Sequence, residues 1–144
     1  MFGTKLFRIR ALVEFGDVEA GELGGYVEKE SNLGHDDNAW VHDNAWVYGD
    51  AQVSGDARVC GNGDYAYAHG FGSVNRTTTF FRLKDGGVGV RCGCFYGTLA
   101  QFRDKIRETH GESAIAEEYL MLADLMELRF EEDENEVGNR KYVE

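Results

Sequence analysis

Of the 144 residues only three are cysteine, Cys60, Cys92 and Cys94, an odd number that cannot close a paired framework. A disulfide-stapled secreted scaffold is thereby excluded as the organising principle. The opening MFGTKLFRIR has no apolar run of the kind a secretory leader needs, and no stretch approaches the roughly 18 consecutive apolar residues of a membrane span. The expectation is a protein of the reducing cytosol with no membrane partner. Basic residues are also scarce, 15 Lys and Arg against 26 Asp and Glu, for a net charge of −11. Such a surface repels duplex DNA, because phosphate contact needs Lys and Arg to displace counterions.

The deficit is uneven. Residues 21–70 hold nine acids and two bases, and residues 111–144 hold eleven acids and three bases. Residues 71–110 reverse the balance, with seven bases and three acids, so the middle of the chain is where an anion would be received.

What is present in quantity is a repeat. Between residues 38 and 62 the sequence NAWVHDNAWVYGDAQVSGDARVCGN sets Ala-x-Val four times at a period of six, as Ala39–Val41, Ala45–Val47, Ala51–Val53 and Ala57–Val59. Asn38, Asn44, Asp50 or Asp56 precedes each copy. Ala and Val two residues apart face the same side of a strand, while the Asn, Asp and Gly positions supply turn chemistry. Short strand and corner in alternation is the pattern of a hexapeptide parallel β-helix.

These hexads resemble the repeat of left-handed β-helices, in which an aliphatic residue is followed four positions later by a small one, as with Val41 and Ala45 or Val47 and Ala51. The resemblance implies three hexads per triangular turn, with Asn32 over Asp50, Asn38 over Asp56 and Asn44 over Asn62. The pattern weakens at Leu33 and His35 and ends at Gly63, so about two turns are expected within residues 25–64. Trp40, Trp46 and Tyr48 then point away from the coil interior, and the expectation is that they pack under the C-terminal helices or against another protomer.

Outside the repeat, residues 1–24 form a lead-in. Residues 65–96 carry TTTFFRLKDGGVGVRCGCF, two β-rich runs around Asp85-Gly86, which predicts a β-hairpin. Residues 97–130 hold two helices. Thr98 and Gln101 form a capping box, Leu99, Phe102 and Ile106 share a face, and Gly111 ends the first helix. The second starts near Ser113 with Ile115, Tyr119, Leu122, Met126 and Phe130 on one stripe and Met121, Leu125 and Leu128 beside it. So wide a stripe predicts deep docking or a subunit interface. The acidic tail, residues 131–144, is expected to be solvated. The fold class is therefore mainly β with C-terminal helices: a short parallel, left-handed β-helix, a hairpin and two packed α-helices covering the repeat, in a homo-oligomer.

The whole layout, from KLFRIRALVEFGDVEAGELGGYVEKESNL through NAWVYGDA to CGCFYGTLAQF and ETHG, resembles hexapeptide-repeat proteins of tailed phages and prophages. That resemblance implies an accessory protein acting in the cytoplasm of an infected bacterium, and antagonism of a host defence as its class of function.

Candidate sites follow from residue chemistry. Asn75, Arg76, Thr77, Arg82 and Arg91 gather the donors of the basic segment. Arg beside Phe80 and Phe81 suits stacking on a base while the guanidinium grips phosphate, so a small anionic nucleotide is the expected ligand. Those same bases could instead pair with the acidic repeat and tail. An acidic rod could also occlude the nucleic-acid channel of a host defence protein. The enzyme alternative, a hexapeptide-repeat acyltransferase, would use His42 as general base. A purely structural oligomer is the remaining alternative. Cys92 and Cys94 share a strand face and could present two thiolates to a metal, with Cys60 or His110 as further ligands, but no second matching pair accompanies them. Small apolar core residues are the expected reading, with no cofactor.

Overall fold

The computed structural model describes residues 3–35, 37–72 and 76–140, with side chains as far as Phe130. It is mainly β, followed by two C-terminal helices. Strands β1 (Phe7–Arg10) and β2 (Leu23–Val27) pair antiparallel, and β2 pairs parallel with β4 (Trp46–Val47). Strand β3 (Trp40–Val41) pairs parallel with β5 (Arg58–Val59). Strands β6 (Tyr65–His69), β7 (Thr77–Arg82), β8 (Val88–Cys92) and β9 (Phe95–Thr98) form one antiparallel sheet in chain order. Helices α1 (Leu99–His110) and α2 (Ala114–Arg140) follow.

The hexads make their corners from backbone hydrogen bonds at the period of the sequence. Ala45 N donates to His42 O, Ala51 N to Tyr48 O and Ala57 N to Ser54 O. The residue after each acceptor, Asp43, Gly49 or Gly55, has positive φ, which explains why two of the three are glycine. At Gly49 and Gly55 a Cβ would also run into the rings of Tyr67 and Tyr96. Between corners, Val41, Val47, Val53 and Val59 turn inward with the hexad alanines and are buried.

Parallel contact joins Val27 to Val47, Leu33 to Val53 and Val41 to Val59. Buried Asn32 ties the first two layers. Its Oδ1 accepts from Glu28 N (3.1 Å) and Lys29 N (2.9 Å), and its Nδ2 donates to Gly49 O (3.1 Å) and Ala51 O (2.9 Å), on either side of Asp50. At the next corner the bridging carboxylate is Asp37, accepting from Gly55 N at 2.7 Å, rather than Asn38. Leu33 to Val41 spans eight residues where the hexad has six, and the two extra residues shift the polar rung.

Three expectations are corrected. The predicted hairpin does form around Asp85-Gly86, with Leu83 N donating to Gly87 O at 2.8 Å, but it is the centre of a four-stranded sheet that takes in residues 65–69 and 95–98. Secondly, the helices do not cover the repeat. Strand β7 is buried on both faces: Phe81 joins the repeat core, while Phe80 packs with Phe102 in the helix core. Continuous burial of Thr78, Thr79, Phe80 and Phe81 is the mark of a strand sandwiched between layers, and here the sheet stands between repeat and helices. Gln52 N donates to Thr79 Oγ1 (3.0 Å), Lys84 N to Asp56 O (3.0 Å) and Asp56 N to Tyr96 OH (3.0 Å), fixing that contact. Thirdly, the acidic run after Phe130 continues α2 as far as Arg140, since Glu is a good helix former.

The capping box of α1 is as predicted, with Gln101 N donating to Thr98 Oγ1 (3.2 Å) and Thr98 N to Gln101 Oε1 (2.9 Å); Gly111 ends the helix at φ 60°. Helix α2 buries Ala116, Tyr119, Ala123, Met126 and Phe130 against α1 and the sheet. Arg103 of α1 joins the helices through Asp124 (2.8 Å) and Glu127 (3.1 Å) of α2. No helix among the described residues is long and apolar enough to cross a membrane.

Candidate functional site

The alternation of strands separates the predicted ligand residues. On β7, Arg82 lies on the helix side of the sheet with Phe80. Its guanidinium stacks over the Phe130 ring (4.8 Å to the centroid) and donates to Phe130 O (3.3 Å) and Gly86 O (3.2 Å). Arg91 of β8 pairs with Thr79, on the opposite face, and its Nε donates to Gly93 O at 2.8 Å. Arg82 is thus a structural clamp between the hairpin and α2, and it shares no site with Arg91. Thr77 Oγ1 lies 2.8 Å from His69 Nδ1 on the neighbouring strand. Asn75 lies outside the described residues.

Arg76 remains, and its surroundings were not legible from its own segment. Its guanidinium lies against Gly93, in the turn between β8 and β9. Arg91 reaches the same turn through its bond to Gly93 O, so these two of the three predicted arginines are brought together. Beside the turn opens a cavity of about 460 Å³ to which Arg76, Lys105 and His110 contribute the basic groups. Its walls include Phe95, Phe102, Ile106 and Tyr119. Phe102 lies 5.8 Å from Phe95 and 5.8 Å from Tyr119, while His110 stacks on Tyr119 at 5.9 Å. Lys105 is exposed and stands 4.0 Å from Glu108, one turn along α1.

In chemical terms this is an aromatic recess with cations at hand, in a chain that is otherwise strongly acidic. A guanidinium offers a planar fork to a phosphate and an ammonium offers a point charge, while the rings offer faces and edges to a flat ligand. Lys105 and Thr109 are four apart, so the sequence places them on one face of α1. Only the docking of α1 against β8 and β9 sets that face beside Arg76.

Cys92 and Cys94 part company here. Cys92 is buried, accepts from Thr78 Oγ1 at 3.3 Å and faces Tyr119 OH at 3.9 Å; Cys94 is exposed and lines the same cavity. The expectation of a buried, apolar cysteine fits Cys92 and fails for Cys94 and Cys60, both exposed. The described residues contain no cluster of three or more His, Cys, Asp or Glu able to hold a metal.

A second, larger cavity of about 670 Å³ lies where the lead-in, the repeat and the hairpin turn meet. It includes His42, whose backbone N donates to Val59 O at 2.7 Å. Burial, and then the charge of Arg58, hold the His42 imidazole below its ordinary range, so it is neutral at neutral pH. Among its charged walls, four carboxylates stand beside Arg58 and Lys84; Lys84 pairs with Asp17 at 2.7 Å, and Asp85 accepts from Gly87 N at 2.8 Å. Size favours this cavity, but its mixed charge gives an anion no excess of cations.

The outward aromatics also divide. Trp40 is only 5% exposed, yet what covers it is the lead-in: Phe15 meets it edge-on at 5.3 Å, with Ala11 and Val18 alongside. The expected cover, a helix or a second protomer, is therefore replaced by the chain's own first residues. Trp46 remains 39% exposed, and Tyr48 is half-buried. Compared with known proteins, the chain matches no protein family, no curated protein and no solved structure.

Proposed function

We propose that this chain is a non-enzymatic binding protein whose ligand is a small nucleotide-like anion, held in the recess between α1 and the turn joining β8 and β9. The observation that carries the reading is the gathering of Arg76, Lys105 and His110 around aromatic walls in a chain of net charge −11. Arg76 and Lys105 would take the phosphate, and the base would lie against Phe95, Phe102 and Tyr119. The resemblance to phage hexapeptide-repeat proteins supplies the setting: removal of a nucleotide signal on which a bacterial defence depends. Under this reading the repeat is scaffold. We infer that residues 25–64 wind as a short three-sided coil, a reading supported by parallel contacts at offsets of 20, 20 and 18 residues on three successive sides.

The test is calorimetric titration with linear and cyclic mono- and dinucleotides, preceded by native mass spectrometry of protein purified from a bacterial host. Binding should weaken at least tenfold in Arg76→Ala and in Lys105→Ala, each removing a charge-assisted contact of about 1.5–3 kcal/mol. Arg82→Ala should leave affinity unchanged, because that side chain faces Phe130. Absence of binding across the panel, or binding indifferent to Arg76 and Lys105, would overturn the proposal.

A further inference from the structure

Helix α2 has a second apolar face. Met121, Leu125 and Leu128 follow one another at spacings of four and three and are 70, 54 and 56% exposed. At 3.6 residues per turn they lie about 180° from the buried row of Tyr119, Ala123 and Met126, so they point away from the helix core. A row of three large apolar side chains standing in water along one helix is a contact surface in need of a partner.

Charge and shape on the same face say which partner. Toward the C-terminal end the row is flanked by Arg129, and toward the N-terminal end, on the same flank, by Glu118, whose Oε1 accepts from Gly72 N at 2.6 Å and whose carboxylate has a second oxygen to offer a partner. If a second α2 lies antiparallel on this face, Arg129 of each copy meets Glu118 of the other. A parallel two-fold would put the flank that carries Glu118 and Arg129 on opposite sides of the seam in the two copies, so neither charge would meet the other. The relief agrees, because a groove of about 280 Å³ opens beside Leu125, Leu128 and Arg129, floored by Met126 and by Ala66 of β6. In the antiparallel register that pairs Glu118 with Arg129, the partner's Met121 falls opposite residues 125–129, at the groove. A flexible thioether suits an irregular groove of this kind. Knob, groove and ion pair thus obey a single two-fold axis, as a self-complementary interface requires.

We propose that two copies of this chain associate through antiparallel packing of α2 on α2, with Met121 seated in the groove beside Leu125 and Leu128. The contact lies on a face of α2 away from the ligand recess and does not depend on what the recess binds. It also differs from the outer wall of the repeat at Trp40, Trp46 and Tyr48.

Sedimentation velocity over a concentration series tests it. The wild-type chain should show twice the mass of the 16.1 kDa protomer, and Leu125→Glu should show the protomer mass with an unchanged far-ultraviolet circular dichroism spectrum. Glu118→Lys and Arg129→Glu should each raise the dissociation constant by about tenfold, two symmetry-related repulsions replacing two attractions. The double variant should regain most of the wild-type affinity. A wild-type protomer that stays monomeric at its solubility limit would overturn the proposal. So would an oligomer that survives Leu125→Glu, one abolished by Trp46→Ala, or a double variant no better than its single parents. Met121→Glu gives a second reading of the seam should Leu125→Glu fail to fold.

Discussion

The repeat and the sheet–helix half of this molecule reach burial by opposite routes. In the repeat the core is made of Val and Ala, and the chain is held at its corners by backbone hydrogen bonds at residues 42–45, 48–51 and 54–57. In the sheet–helix half the core is aromatic, with Phe80, Phe102, Tyr119 and Phe130 drawn from three separate elements. A valine column with regular corners is largely a local construction, since each hexad solves the same problem as the one before it. An aromatic core exists only when distant segments have already met. The recess beside Arg76 belongs to the second kind, which is why the sequence pointed to Arg76 as an anion contact and to neither Lys105 nor His110 in that role.

The sharpest way to break this contrast is at Phe81, which leaves the sheet to complete the repeat core. Phe81→Ala should cost about 3–5 kcal/mol, because a large cavity would open where the halves meet. Urea unfolding followed by tryptophan fluorescence, which reports on Trp40 and Trp46 of the repeat, and by far-ultraviolet dichroism should shift together. A shift confined to the fluorescence would show that the halves unfold independently.

Next in size is Asn32, whose side chain satisfies four backbone groups between layers of the repeat. Asn32→Ala should cost about 2–3 kcal/mol by leaving those groups unpaired out of water. An effect under about 0.5 kcal/mol would mean that valine packing, not the corner network, sets the register.

Gly55→Ala should cost about 1–2 kcal/mol, through its positive φ and the Tyr96 ring above it. Gly61→Ala, with open space at its Cβ, serves as the control. In the other half, Arg103→Ala should cost only about 0.5–1 kcal/mol, since its partners Asp124 and Glu127 are largely in water. That cost should shrink in high salt.

The smallest effect concerns pH. The folded protein holds His42 below its ordinary value of 6.5, so the unfolded chain binds the proton more readily. No stability is at stake above that value, and stability falls as pH drops below it. His42→Gln should flatten this limb of the stability-against-pH curve. An unchanged limb would assign the acid sensitivity to other groups.

Much of the architecture was legible because it is periodic or capped. The hexads announce their inward Val and Ala, Thr98 and Gln101 announce the start of α1, and Asp85-Gly86 announces a hairpin, each through a rule spanning six residues or fewer. The candidate site was legible only in part. Arg76 and the basic character of its segment could be read, but strand alternation places Arg82 and Arg91 on opposite faces of the sheet, and the register that decides this is set by pairing partners. Lys105 and His110 gave no sign of receiving an anion, since a Lys and a His on a helix face are ordinary.

The sequence by itself determined the inward valines, the corner chemistry, the capped helix and the segregation of charge, because each follows from preferences acting within a turn or two of chain. The tertiary structure alone decided that the sheet stands between repeat and helices, that the lead-in covers Trp40, and that Arg76 lines one cavity with Lys105 and His110. Those outcomes depend on which apolar faces bury one another across tens of residues. That is a global competition for contact with which local spacing has little to do.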